Sequence, residues 1–86
     1  MKKTFDIKAM NKDFLNDRKT LEQGAIKRFK KVDGTVTKYA IVYANKMEMY
    51  SINDLQFVPN NRIMTNSIDS VNDFCDRLSA LGFKEI

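Results

Sequence analysis

The chain contains no histidine and no tryptophan, and it has a single cysteine, Cys75. Without histidine it lacks the commonest general base, the commonest metal ligand and the usual side chain that titrates near neutral pH. One cysteine forms no internal disulfide, whereas secreted domains of this size usually need several. We therefore expect a buried, unreactive thiol at Cys75 and a protein that stays in the cytoplasm where it is made.

Long apolar stretches are also missing. No run reaches about 18 apolar residues, so the sequence predicts no membrane span and no membrane partner. The opening residues begin like a signal peptide, but Asp6, Lys8 and Lys12 interrupt the segment that would have to be apolar. One proline and three glycines form no flexible linker, and no internal repeat divides the 86 residues. We therefore expect one domain over residues 1–86.

Motifs that would identify a reaction are absent from the sequence. The three glycines are scattered, and each suits a turn or a helix end rather than a phosphate-binding loop. Asp69, Asp73 and Asp76 form a row at helical spacing, but without histidine or an opposing ligand this row is typical of a solvated helix face. The sequence predicts no enzyme activity, no cofactor and no metal site.

Positive charge is what the chain has in excess, and it is concentrated in the first half. Residues 1–50 carry 12 Lys and Arg against 6 Asp and Glu, whereas residues 51–86 carry 3 against 5. Five cations and one acid fall between residues 24 and 38: Lys27, Arg28, Lys30, Lys31 and Lys38, with Asp33. A dense basic patch of this kind is typical of proteins that bind polyanions.

The same basic stretch predicts a β-hairpin that turns at Asp33-Gly34. An Asp-Gly pair between β-rich runs favours a two-residue type I′ loop, which would pair Val32 with Thr35. Residues directly opposite each other share a face of the sheet, so this register assigns two groups. One face carries Ile26, Arg28, Lys30, Thr37, Tyr39, Ile41 and Tyr43, and the other carries Lys27, Phe29, Lys31, Val36, Lys38, Ala40 and Val42.

Further segments have strand or turn composition. Strands are predicted over residues 39–44 and 47–52, with shorter candidates over residues 5–9, 55–58 and 62–65, and turns over residues 45–46 and 59–61. A two-residue turn after the central strand places Met47 and Met49 with Phe29, on the face that is the better core candidate. Tyr50 then joins Tyr39 on the opposite face.

Two segments have helical periodicity. Over residues 10–23 the apolar positions Met10, Phe14, Leu15 and Leu21 approximate one stripe, which ends before Gly24. The second helix is marked by Ile68, Val71, Phe74, Cys75, Leu78 and Leu81, at steps of three and four. Ser67 or Ser70 can cap its start, and Gly82 ends it. The sequence predicts an α+β domain, an antiparallel sheet of three to four strands with both helices packed on one face.

The basic hairpin predicts a non-enzymatic RNA-binding module. The candidate phosphate contacts are Lys27, Arg28, Lys30, Lys31 and Lys38, and the candidates for stacking on bases are Tyr39 and Tyr43. Stacking on tyrosine favours single-stranded RNA over duplex. One alternative is a solvated hairpin whose lysines only prevent edge-to-edge association. Another is a protein-only inhibitor or antitoxin-like factor that uses its acidic helix side or a sheet edge, and a third is a structural or assembly component. A homodimer is compatible with the exposed sheet edge.

In overall style the chain resembles the small early proteins of T-even-type lytic phages. The features that carry the resemblance are the opening Met-Lys-Lys-Thr-Phe-Asp-Ile-Lys, the absence of histidine and tryptophan, and the richness in Lys, Asn, Asp and Met. They extend over the whole chain and carry over no motif residue. The resemblance implies a protein that acts by stoichiometric binding in the host cytoplasm, inhibiting a host enzyme or a ribonuclease toxin while bound to RNA.

Overall fold

The computed structural model describes residues 7–55 and 63–86. Its elements are helix α1 (Ile7–Leu21), strands β1 (Lys27–Asp33), β2 (Val36–Val42), β3 (Lys46–Asn53) and β4 (Met64–Ser67), helix α2 (Val71–Ala80) and strand β5 (Lys84–Glu85). The strands form one antiparallel sheet in the order β4-β3-β2-β1-β5. The domain is therefore α+β, as the sequence predicts, but the sheet has five strands rather than three to four.

The first hairpin turns one residue later than predicted. Asp33 pairs with Val36, so the loop is Gly34-Thr35 and the register moves by two residues. Gly34 has a φ of 63°, and no residue other than glycine has a positive φ in the described ranges. A type II′ loop needs a positive φ only at its first residue, whereas the predicted type I′ loop needs it at both. The glycine therefore decides where the chain turns.

Every side chain of this hairpin nevertheless keeps its predicted face. A shift of two residues preserves the alternation of side chains, whereas a shift of one would invert it. Phe29 lies opposite Ala40, and Ala40 lies opposite Met49. Tyr39 lies opposite Tyr50 on the other face. The second hairpin also turns one residue away from its predicted loop, with the Tyr43 N–H donating to the Lys46 carbonyl over 2.8 Å.

The apolar core lies between α2 and one face of the sheet, which we call the α2 face. Its buried members are Phe29, Ala40, Val42, Cys75, Leu78 and Phe83. The Ser70 hydroxyl caps α2 by accepting the Asp73 N–H over 3.2 Å, and Gly82 ends the helix with a φ of 93°. Burial raises the pKa of the Cys75 thiol, as expected for an unreactive cysteine. The predicted core and helix end are confirmed.

Helix α1 packs on the opposite face of the sheet, which we call the α1 face, so the prediction of both helices on one face is wrong. The buried residues of α1 are Asn11 and Arg18, whereas Leu21 of the predicted stripe is 67% exposed. The Phe14 ring meets Tyr50, on the α1 face. A helix that buries polar side chains needs polar partners, and those are found on this face rather than in the apolar core.

The remaining predictions concern strands and loops. The predicted strand over residues 5–9 is wrong, because Ile7 and Ala9 lie in α1. Leu55 lies in a turn after β3, and residues 56–62, with the predicted turn over residues 59–61, lie outside the described ranges. Met64 and Thr65 form part of β4, as predicted, whereas β5 is too short to have a recognisable pattern. Neither described helix has the length and apolar content that crossing a bilayer requires.

Candidate nucleic-acid interface

The seven predicted contact residues do not form a single surface. Because side chains alternate along a strand, Arg28, Lys30, Tyr39 and Tyr43 lie on the α1 face, and Lys27, Lys31 and Lys38 lie on the α2 face. The sheet thus separates the cations that are adjacent in sequence. A phosphate chain that follows one face therefore reaches two of the five cationic side chains on the α1 face, or at most three on the α2 face.

Two of the three cations on the α2 face interact with the fold itself. The Lys27 Nζ lies 3.8 Å from the Glu85 Oε1. The Lys31 Nζ donates to the Leu81 carbonyl over 2.8 Å and so satisfies an oxygen at the end of α2. Lys38 is exposed, and no carboxylate of the described residues lies within 4 Å of it. The α2 face therefore offers one free cation of the predicted three.

Arg28 belongs to a buried polar network on the α1 face. The Glu22 side chain is 0% exposed and accepts hydrogen bonds from the Arg18 Nε and the Arg28 Nε, each over 2.9 Å. The Tyr50 hydroxyl also donates to Glu22 over 2.8 Å. No buried side-chain oxygen or nitrogen of the described residues lacks a partner. Arg28 therefore holds α1 and the chain that follows it on the sheet, and it is not a free phosphate contact.

Tyr43 joins the same network through Glu48, which also binds Arg18. Its hydroxyl donates to the Glu48 Oε1 over 2.8 Å, and the Arg18 Nη2 donates to the same oxygen over 2.8 Å. Burial and the Glu48 carboxylate raise the pKa of Tyr43 to about 12. Burial lowers the pKa of the Arg18 guanidinium, but Glu22 and Glu48 outweigh this effect and raise it. The Lys46 Nζ lies 4.9 Å from the centroid of the Tyr43 ring. Both the hydroxyl and the ring of Tyr43 therefore already have partners within the fold.

Tyr39 is held by aromatic packing rather than by the network. Its ring stacks on Tyr50, with 5.2 Å between centroids and 20° between planes. Phe14 meets Tyr50 edge to face at 5.6 Å, and the Arg18 guanidinium lies 5.3 Å from the Tyr50 centroid. Burial raises the pKa of Tyr39, and Arg28 partly offsets this effect. Tyr50 thus supports one face of the half-buried Tyr39 ring from β3.

A row of residues crosses the α1 face beside Tyr39. Lys30 lies directly opposite Tyr39 on β2 and directly opposite Lys84 on β5. Side chains in such positions have Cβ atoms about 5 Å apart, so two like charges there repel each other. No carboxylate of residues 7–55 and 63–86 lies within 4 Å of either lysine. Lys84, Lys30 and Tyr39 therefore form a compact row of two cations and one ring.

A groove of about 320 Å³ continues from Tyr39 between α1 and the sheet. It is lined by Lys8, Asn11, Lys12, Leu15, Thr37, Tyr39, Ile52 and Asp54. Lys8 and Lys12 are one helical turn apart, so they lie on the same side of α1. The Asn11 Nδ2 donates to the Asn53 carbonyl over 2.9 Å and fixes α1 beside the groove. Two lysines against one aspartate give the groove a positive lining.

Sequence reasoning found Lys30 and Tyr39 of this site and missed Lys8, Lys12 and Lys84. Lysines on a helix with mixed charges are typical of its solvated side, so α1 gave no reason to assign them to a site. The spacing of four between Lys8 and Lys12 was the available signal. Lys84 lies more than fifty residues from Lys30 along the chain, and only the pairing of β1 with β5 brings the two together.

No protein-family model, curated protein or solved structure matches the chain. Within the described ranges, no three Cys, Asp or Glu side chains are grouped as metal ligands. The site is therefore defined by its own geometry, a basic row and groove arranged around one tyrosine.

Proposed function

We propose that the chain is a non-catalytic RNA-binding domain that binds a single strand along its α1 face. The path runs from Lys84 and Lys30, past Tyr39, to the groove lined by Lys8 and Lys12. In line with the resemblance to early phage proteins, the bound domain inhibits or regulates an enzyme that acts on nucleic acid, such as a ribonuclease toxin.

The adjacent pair of Lys30 and Lys84 is the observation that carries this proposal. Placing two ammonium groups side by side without a carboxylate costs stability, and a phosphate chain relieves the repulsion. Neutralising a phosphate also releases counterions, which supplies binding free energy. Lys8 and Lys12 extend the same positive surface along the groove, with Asp54 as its single acid.

Tyr39 supports the choice of a single strand. Unpaired bases stack on aromatic side chains, each for roughly 1–3 kcal/mol, whereas a duplex keeps its bases stacked on one another. Packing on Tyr50 already orders the Tyr39 ring, so little side-chain entropy remains to be lost on binding. The proposal therefore uses Tyr39 as the one stacking residue and no longer requires Tyr43.

Charge reversal at matched positions tests the proposal. The double variant Lys30→Glu/Lys84→Glu removes the pair, and the control Lys19→Glu/Lys38→Glu reverses two exposed lysines away from it, which also have no carboxylate within 4 Å among the described residues. Both variants lower the formal net charge equally, by four, from +4 to 0. Fluorescence anisotropy with a labelled oligouridylate of about 12 nucleotides measures the affinity. We expect a loss of about tenfold or more for the first variant and less than about threefold for the control.

Three further binding measurements complete the test. The salt dependence of the affinity should be shallower in the first variant than in the wild type, since fewer phosphates are neutralised. Tyr39→Leu should weaken binding at every salt concentration, and a duplex of the same length should compete poorly. Equal losses in the two charge variants, or no binding of the wild type at about 50 mM salt, would refute the proposal. The protein-only inhibitor, the solvated hairpin and the structural component would then be the remaining hypotheses.

A further inference from the structure

The two edges of the sheet differ in length and in charge. Strand β5 has two residues, both charged, Lys84 and Glu85. Strand β4 has four residues, Met64, Thr65, Asn66 and Ser67, none of them charged and all of them exposed. Charges, proline and short length are the usual means by which an edge strand avoids pairing with another chain. Within Met64–Ser67, β4 has neither charge nor proline.

The hydrogen-bond pattern shows which backbone groups of β4 face outward. The Ile68 N–H donates to the Asn45 carbonyl over 3.1 Å, so this position bonds to the β3 side of the sheet. Bonding positions alternate along an antiparallel strand, so Met64 and Asn66 also bond to β3. The N–H and C=O groups of Thr65 and Ser67 therefore lie on the outer side of β4, in position to bond another strand.

The same strand carries a protruding apolar side chain and, two residues away, a groove. Met64 is 56% exposed and lies opposite Met49, on the α2 face. Asn66 lies on that face as well, opposite Met47. Beside Asn66 is a groove of about 320 Å³ lined by the apolar Met47, Ile68 and Phe74 and by the polar Asn66, Ser67, Asp69, Ser70, Asp73 and Arg77. An apolar side chain and a recess that has an apolar part thus lie at positions i and i+2.

We propose that β4 pairs antiparallel with β4 of a second copy of the chain, with Thr65 opposite Thr65 of the second copy. In this register each Met64 lies opposite the Asn66 of the other copy, so each methionine reaches the groove beside it. The pairing uses the outward groups of Thr65 of both copies, and it places no like charges opposite each other. Such an interface is isologous, because each copy provides the same side chain and the same recess.

The pairing would place two copies of the RNA site on one side of the dimer, an inference that rests on the proposed function. The two-fold axis passes through the sheet at Thr65 and perpendicular to it, so the two α1 faces lie on the same side. A dimer therefore presents two basic grooves to one RNA strand. Linked sites bind more tightly than either alone when one ligand spans both.

The first experiment measures the dimer in protein freed of RNA by nuclease and high salt, so it does not depend on RNA binding. Sedimentation equilibrium from about 1 µM to about 500 µM should show a reversible monomer–dimer equilibrium. Thr65→Pro should abolish it, because proline removes the outward N–H and leaves the bonds from Met64 and Asn66 to β3 intact. Met64→Ala should weaken dimerisation by about tenfold or more, since the apolar contact occurs twice.

A charge exchange at Thr65 tests the register. Thr65→Asp and Thr65→Lys should each be monomeric, because each places like charges opposite each other across the two-fold axis. An equimolar mixture of the two should form a mixed dimer, in which the opposite charges meet. Ser79→Lys, on an exposed position of α2, is the control and should dimerise like the wild type.

Three results of these experiments would each overturn the inference, and a fourth would come from peptide binding. They are a wild type that stays monomeric across the whole range, a dimer that survives Thr65→Pro, and a mixture of the two charge variants that stays monomeric. Circular dichroism spectra that match the wild type establish that the variants are folded. A monomer that binds an unrelated extended peptide at β4 would also refute pairing with a second copy. RNA binding by the monomer would leave the proposed function intact.

Discussion

The α2 face of the sheet is covered by apolar side chains, whereas the α1 face buries charged groups and hydroxyls beside the apolar Ile41 and Ile52. Phe29, Val42 and Leu78 represent the first kind, and burial of apolar area stabilises them without any demand for direction. Glu22 and Arg18 represent the second kind, and their contacts depend on the positions of individual atoms. Apolar burial therefore attaches α2 to the sheet, whereas α1 is attached by apolar burial together with directional polar contacts.

The difference shows how a small domain can position a polar helix. An apolar core tolerates changes of shape if volume is kept, whereas a buried ion is tolerated only if its partners are in place. The network around Glu22 therefore fixes α1 in one position, and it places Lys8 and Lys12 beside Tyr39. The apolar core on the α2 face stabilises the sheet, and the polar network on the α1 face sets the position of α1. The candidate site depends on both.

The largest expected effect comes from removing the acid at the centre of the network. Glu22→Ala leaves the Arg28 Nε without its carboxylate and Arg18 with one partner instead of two. Breaking a buried ion pair in this way costs about 3–5 kcal/mol, because a charge remains buried without compensation. Urea unfolding measures the loss. Hydrogen exchange should show that the amides of α1 lose protection before those of α2.

A milder variant keeps this test informative if Glu22→Ala does not fold. Glu22→Gln preserves the shape of the side chain and one acceptor oxygen. Its free energy of unfolding should therefore lie between those of the wild type and of Glu22→Ala. A cost below about 1 kcal/mol for Glu22→Ala would contradict the view that the network holds α1 on the sheet.

A somewhat smaller effect is expected on the α2 face. Leu78 is 2% exposed, and Leu78→Ala leaves a cavity in the apolar core, at a cost of about 3 kcal/mol. The same unfolding and exchange measurements apply, and here the amides of α2 should lose protection first. Leu81→Ala is the matched control, because Leu81 is 62% exposed in the same helix stripe. If both variants loosen α1 and α2 equally, the two faces do not act separately.

The smallest effect concerns pH and belongs to the α1 face alone. The pKa of Tyr43, raised to about 12 from its ordinary value of 10.0, means that the folded protein keeps this proton when the unfolded chain loses it. The stabilisation that results from this raised pKa of Tyr43 is complete below pH 10 and is lost as the pH rises through 12. The free energy of unfolding should therefore fall over this window.

Tyr43→Phe makes the pH dependence specific. It should cost about 1 kcal/mol at pH 7, because it removes the hydrogen bond to Glu48, and it should make the decline above pH 10 shallower. The decline should not vanish, since burial and Glu22 also raise the pKa of Tyr50. An unchanged slope in Tyr43→Phe, measured by urea unfolding from pH 9 to pH 12, would contradict this assignment.

Elements with a strong local pattern were predictable from the sequence. The apolar stripe of α2, its Ser70 cap and its Gly82 end follow from spacing and from residue chemistry alone. The faces of β1, β2 and β3 were also predictable, even though both turns were misplaced by one residue. The side-chain period of a strand is two, so a register error of two residues does not move Phe29 or Tyr39 to the other face.

The candidate site was only partly predictable, because its residues meet through tertiary structure. The sequence identified Lys30 and Tyr39, but it also assigned phosphate contacts to Arg28 and Lys31. Those two side chains instead bind Glu22 and the Leu81 carbonyl. A cation looks the same in sequence whether it meets solvent, a phosphate or a carboxylate far along the chain.

The sequence by itself determined the class of fold, the apolar core and the alternation that divides the hairpin between two faces, because each follows from short-range periodicity and burial. Only the tertiary structure decided that α1 crosses to the opposite face, that Glu22 gathers two arginines and a tyrosine, and that Lys84 lies beside Lys30. The reason is physical: apolar burial has a period that neighbouring residues share, whereas a hydrogen-bonded ion is satisfied by single atoms that any part of the chain can supply.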